Sequence, residues 1–275
     1  MEVGKVKIAE DSDFAYFKNS CVKHDDWKEE YKKSSTKVWT RKTENSHMKQ
    51  IKVLATFPDI SLDVLYDVVH DPDYRAVWDK HMISGREICY INANNDIGYY
   101  AVRAPTPLKN RDFVTQRSWL YTEREEFIIM NHSVNHVAAP ATKEFIRGIS
   151  YLTGYYVVAD GAGTKMYYIT QCDLKGKLPH RIVDKGSTIV APKVTNRLHK
   201  AARDYKAWKA VNRPHWKPWL NPDQLNPELF VSIIKLMKDG DIQSLDLSSD
   251  NSIDESNISE KDCDVEGMEA AMVEK

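Results

Sequence analysis

The sequence predicts an α+β fold, a curved antiparallel sheet set against one long C-terminal helix. Three observations lead there. Strand-like segments follow one another through short turns, and short turns join only antiparallel neighbours. Two small helical segments interrupt the strands early in the chain. One long helical pattern follows the last strand. A curved sheet facing a helix alternates inward and outward residues and leaves space between the two layers.

Asp11-Ser12-Asp13, followed by Phe14, Tyr16, Phe17, Cys21 and Val22, reads as a capped N-terminal helix. Segments 27–31, 37–41 and 48–55 mix β-formers with partial polar alternation and read as strands. Ser61 opens a helix that carries Leu62, Val64, Leu65, Val68 and Val69 at helical spacing. Pro72 suits the first turn of another helix, with Asp71 and Asp73 placing negative charge at its start. Arg75 and Asp79 then share one helix face, and Tyr74 and Trp78 share the neighbouring stripe. Facing outward, the ionic pair is a surface salt bridge of little energetic weight. Facing inward, it sets a fixed cation in an apolar interior, as a site for an anionic or zwitterionic ligand requires.

Segments 83–91, 97–103, 111–121, 127–136, 145–159 and 164–173 are the remaining strands. Asn94-Asn95-Asp96, Asp160-Gly161-Ala162-Gly163 and Lys175-Gly176 supply turns. The connection 104–110 is longer. Pro105 and Pro107 forbid continuation of the ladder, and the loop is expected to expose Leu108. From 179 to 211 the pattern is helical, interrupted by Pro192. The expected organisation is one domain over 1–222, a short helix within 223–240 and a tail over 241–275.

The chain has 275 residues with 42% hydrophobic content, ordinary for a globular protein. The tail holds 11 acidic residues against 2 lysines, leaving a net charge of +8 on the body. Tails of this composition are usually disordered. Four scattered cysteines without a C-x-x-C pair fit a reducing compartment. Without an apolar leader at the N-terminus or a run of the ~20 apolar residues that span a bilayer, a cytoplasmic location is expected.

Several motifs are set aside. His132 and His136 have metal-pair spacing but no third ligand of matching character nearby, so no metal and no cofactor is expected. Gly161-Ala162-Gly163-Thr164-Lys165 lacks phosphate-loop spacing and precedes a strand. No serine sits in a G-x-S-x-G elbow. The lysines of the basic body are spread among strands without a nucleic-acid motif. The cluster Lys206, Trp208, Lys209, Arg213, Trp216, Lys217 and Trp219 is more informative. It suits a bilayer interface, or else its rings pack back on the sheet.

The stretch from Asp73 through Asp79, then Gly98-Tyr99-Tyr100, then Pro107-Leu108-Lys109-Asn110-Arg111-Asp112, then the long C-terminal helix resemble the START lipid-transfer family. Within it they are most similar to the phosphatidylcholine transfer branch. The resemblance covers about residues 11–222 and implies a helix-grip fold that encloses one lipid. It implies that Arg75, paired with Asp79, meets the lipid phosphate. It places Tyr100, Phe113 and Tyr151 as an aromatic cage for a choline ammonium, a cation–π site. Thr153 stands where the relative has a phosphate-contacting glutamine, and Val69 where it has tyrosine. These changes imply a looser headgroup site that takes phosphatidylethanolamine beside phosphatidylcholine. Pro107, Leu108 and Lys109 on one side, and Trp216 and Trp219 on the other, are expected to form a lid that touches the membrane.

The expected function is phospholipid transfer between membranes by a monomer that makes no covalent bond and binds no nucleic acid. Its membrane contact would be peripheral and transient. A lipid sensor acting through a protein partner and a cavity enzyme, a hydrolase or cyclase, remain alternatives. In the tail, Ser252 and Ser259 each have an acidic residue three positions on, as casein kinase II prefers, and phosphorylation there would weaken attraction to anionic membranes.

Overall fold

The structure, a computed structural model, describes residues 1–33, 35–44, 48–104, 106–122, 125–178, 191–248 and 253–258. Helix α1 spans Asp11–Val22. Its cap is Glu10, whose backbone N–H donates to the Asp13 carboxylate at 3.0 Å, closing a capping box. Strands β1 (Lys28–Lys33), β2 (Thr36–Arg41) and β3 (Gln50–Phe57) precede helices α2 (Leu62–His70) and α3 (Pro72–Trp78). The long strands β4 (Met82–Asn92), β5 (Asn95–Val102), β6 (Arg111–Thr122) and β7 (Glu126–Ser133) follow. Two short strands, β8 (Asn135–His136) and β9 (Ile146–Arg147), come before β10 (Ile149–Asp160) and β11 (Gly163–Asp173). The chain continues with α4 (Ala191–Val211), α5 (Ile233–Lys238) and β12 (Ile242–Gln243).

The sheet runs β1-β2-β3-β11-β10-β7-β6-β5-β4, antiparallel at every step, with β9 lying parallel to β6. Side-chain alternation sorts its two faces. Ile128, Met130, Tyr156 and Ile169 pack under Phe14, Phe17 and Cys21 of α1. Phe127, Ile129, Tyr155, Val157 and Tyr168 face the other way, against Leu65 and Val68 of α2 and Leu198, Ala201 and Tyr205 of α4. This second layer is the main core, and the site lies within it.

Three expectations change. Segment 127–136 is two strands, because the Val134 backbone N–H turns to the Val114 carbonyl at 3.0 Å. Segment 145–159 is interrupted at Gly148, where the ring of Phe113 leaves no room for a side chain. Of the tail expected to be disordered, 241–248 and 253–258 are described, where β12 pairs with β8 and Ile253 and Glu255 hydrogen-bond to Lys177; 249–252 and 259–275 lie outside the described residues. Backbone ladders order these stretches despite their charge. Among the described residues, no helix is long and apolar enough to cross a membrane.

Candidate functional site

Asp71 starts the site. One carboxylate oxygen accepts from the backbone N–H groups of Asp73 and Tyr74, both at 3.1 Å, and so caps α3. The other accepts from Lys209 Nζ at 2.8 Å and the Tyr205 hydroxyl at 3.0 Å, both on α4. The Tyr74 hydroxyl donates to the Ala201 carbonyl at 2.7 Å. A seven-residue helix is too short to hold its own position. These bonds to α4 supply the anchorage and turn the Arg75 face inward.

Arg75 is buried, 7% exposed, so the outward alternative is excluded. Its Nε and Nη2 donate to Asp79 Oδ2 at 3.1 and 2.9 Å. The Tyr100 hydroxyl donates to the same oxygen at 2.7 Å, and Asp79 Oδ1 accepts from the His81 backbone N–H. The guanidinium carbon lies 5.3 Å from the Trp78 ring centroid and 5.2 Å from that of Tyr100. Burial disfavours charge on Arg75, but Tyr100 and Asp79 outweigh it and raise its pKa above the ordinary range. Burial would likewise raise the Asp79 carboxyl. The Arg75 charge and the Tyr100 hydrogen bond prevail and hold it below the usual carboxylate range. The result is a fixed, neutralised ion pair with an aromatic wall.

Arg75 and Tyr100 border a cavity of about 50 Å³ lined also by Val69, Met82, Ile129 and Tyr155, with Asp79 behind them. Several lining residues escape the sequence reading, Tyr155 and Arg117 among them. Burial drives the Tyr155 hydroxyl pKa upward, so it stays protonated beside Arg75. Arg117 is the cross-strand partner of Asp96, and its Nε lies 3.2 Å from both Asp96 oxygens. Strand alternation could have found Arg117, since Asp96 and Tyr100 lie on one face of β5. His70 also lines the cavity, and complete burial holds its pKa well below the ordinary range, leaving it neutral.

Arg75, Asp79 and Tyr100 thus come together, and Phe113 joins them from the side. It is the cross-strand partner of Tyr100 and packs with it, Val102 and Leu174. Tyr151 does not join. A register shift between Ser150 and Leu152 moves it to a separate cavity of about 340 Å³, which it lines with Phe17, Met130 and Leu152 on the α1 side. Tyr155, not Tyr151, lines the cavity beside Arg75. Thr153 lies on the same face of β10 as Tyr155, but its hydroxyl is engaged by Ser150 and Thr170 at 3.0 and 2.9 Å.

The proposed lid needs correction at two positions. Leu108 is buried, 7% exposed, while Pro107 and Lys109 are exposed beside it. Trp219 is buried too, its indole N–H donating to Asp67 at 2.8 Å, because an indole donor requires a partner when buried. Trp216 is half-buried and lies edge-on to Trp219, 5.8 Å between centroids, with the Arg213 guanidinium 3.9 Å from its ring centroid. The tryptophans therefore pack back on the body. Pro105, Ser252 and Ser259 lie outside the described residues.

Comparison with known proteins agrees with this architecture. Residues 7–209 match the START domain model. The mouse START domain-containing protein 10 is 37% identical over 247 residues, 89% of this chain and 84% of that protein. The mouse phosphatidylcholine transfer protein is 24% identical over 185 residues, 66% of this chain and 85% of that protein. The crystal structure of human STARD10 superposes with a TM-score of 0.78 at 37% identity, covering 84% of this chain and 94% of that one. The chain belongs to the START domain family.

Proposed function

We propose that this protein binds one zwitterionic phospholipid, phosphatidylcholine or phosphatidylethanolamine, and carries it between membranes as a monomer. The observation that carries the reading is the buried Arg75–Asp79 pair set against the Tyr100 ring, with Arg75 and Tyr100 lining a cavity. A neutral ion pair matches a headgroup of zero net charge. Arg75 faces the phosphate, while the rings of Tyr100 and Tyr155 face the ammonium. Relatives named for lipid and phosphatidylcholine transfer support it.

The energetics favour a carrier. Two acyl chains hold roughly 30 methylenes at ~0.8 kcal/mol each out of water. Moving them from a bilayer into an apolar cavity nearly cancels that cost, so headgroup contacts and opening of the lid decide the rate. The reading includes no covalent step, because Asp79, held ionised by Arg75, is a weak base. Membrane contact is peripheral and transient, and phosphorylation of Ser252 and Ser259 by an acidophilic kinase of the casein kinase II type would weaken it.

Native mass spectrometry of the gently purified protein tests the reading. A one-to-one phosphatidylcholine or phosphatidylethanolamine adduct is expected, followed by vesicle-to-vesicle exchange. A bound sterol or ceramide, or no lipid at all, would overturn it. Stoichiometric binding without exchange would point to the sensor instead.

A further inference from the structure

The acidic tail returns to the 106–110 loop. Ile253 to Glu255 run beside Lys177: the Lys177 N–H donates to the Ile253 carbonyl and the Glu255 N–H to the Lys177 carbonyl, both at 2.9 Å. The Glu255 side chain is 6% exposed. One of its oxygens accepts from the Lys109 backbone N–H at 2.8 Å, the other from Arg111 Nη2 at 2.6 Å. Arg111 is fully buried, and it also donates to the carbonyls of Lys109, Leu174 and Lys175. One guanidinium therefore joins the 106–110 loop, the exit of β11 and the tail. Gly176 makes the approach possible: a Cβ there would sit 3.1 Å from the Ile253 carbonyl oxygen, and its φ of +74° suits glycine.

This junction bears on the lipid site. Arg111 lies two residues from Phe113, whose ring packs with Tyr100 and Leu174. A carboxylate held by a backbone N–H and a guanidinium occupies an anion cradle. Around it stand Lys109 and Lys177, both exposed to solvent, with Lys177 Nζ 3.5 Å from Asp254. The body carries +8 and the 241–275 segment −9, so the tail is drawn to the body at high effective concentration.

We propose that residues 253–258 form a strap that fastens the 106–110 loop through Glu255, and that an anionic bilayer surface releases it. The anionic surface competes for Lys109 and Lys177, frees the cradle and lets the loop move only where a membrane is present. This rests on the lipid-carrier reading for its purpose but not for its test.

Hydrogen exchange of the Lys109 amide is the direct readout, because Glu255 is its acceptor. In the full chain, Glu255→Gln should speed that exchange roughly tenfold without vesicles, since a charge-assisted bond becomes a neutral one. Vesicles of phosphatidylcholine with phosphatidylserine should do the same to the wild type, and vesicles of phosphatidylcholine alone should not. Lys177→Glu, at an exposed position, should act in the same direction if Glu255→Gln folds poorly. Unchanged Lys109 exchange in both folded variants would overturn the strap. Equal effects of the two vesicle types would overturn its release by anionic lipid. A released amide in a protein that transfers no lipid would sustain the strap while removing the carrier reading.

Discussion

Lys209 on the long helix and Asp71 at the start of α3 are joined at 2.8 Å, and both side chains are almost wholly buried. Lys209 Nζ also lies 5.4 to 5.8 Å from the ring centroids of Trp208, Trp216 and Trp219. Because Asp71 is at once the cap of α3 and the partner of α4, this pair sets the orientation of Arg75 four residues on.

Removing Lys209 should therefore unsettle the whole protein. Lys209→Met leaves Asp71 buried without its cation, a loss of about 3–5 kcal/mol for a broken buried pair. Urea unfolding should show it as a lower midpoint with an unchanged slope. An unchanged midpoint would mean that Tyr205 alone suffices.

Arg75→Gln should abolish most phospholipid transfer while Tyr100→Phe weakens it less. The first removes the cation proposed to face the phosphate. The second keeps the ring and removes one hydrogen bond to Asp79, worth about 1.5–3 kcal/mol for a charged acceptor. Transfer between vesicles measures both, and the opposite ranking would displace Arg75 from the headgroup site.

Gly148→Ala should destabilise the wall behind Tyr100. The added Cβ would lie 2.1 Å from Phe113 Cε1. Overpacking of this kind costs about 1–3 kcal/mol. Thermal unfolding should record the loss, and Phe113→Leu in the same chain should restore part of it by making room.

Stability should decline as pH falls from about 6.5 to about 4. His132 is buried with its Nε2 donating to the Lys5 carbonyl at 2.7 Å, and burial holds its pKa down to about 4. The unfolded chain protonates that imidazole near pH 6.5 while the folded chain does not, so protons favour unfolding throughout this window. His70, also held low by burial, adds in the same direction. Asp13, held near 2 chiefly by its Glu10 hydrogen bond and the N-terminal ammonium against its burial, contributes only below about pH 4. Melting temperatures in His132→Gln should be less sensitive to pH between 6.5 and 4.

Lys109→Glu separates the loop's charge from its packing. Leu108→Asp, the obvious choice if Leu108 were exposed, would bury a carboxylate and disturb the loop itself. Lys109 is exposed, so its reversal should lower transfer to anionic acceptor vesicles and spare transfer to neutral ones. An equal loss on both would remove membrane charge from the loop's role.

The sequence by itself determined the fold class, the element order and the Arg75–Asp79 pairing, because each rests on short-range periodicity: alternation for strands, 3.6-residue spacing for helices and four residues between helix neighbours. It also carried the family resemblance through motifs that are contiguous in the chain. Only the tertiary structure decided which way α3 faces, since that depends on Lys209 and Tyr205, more than 130 positions from Asp71. A single register shift put Tyr151 on the far face and left Tyr155 at the cavity, which no alternation pattern shows. Trp219 met Asp67 and Leu108 found cover for the same reason. Burial is a property of what the chain folds against, and the charged tail found its partner in Arg111 because Gly176 lets it come close.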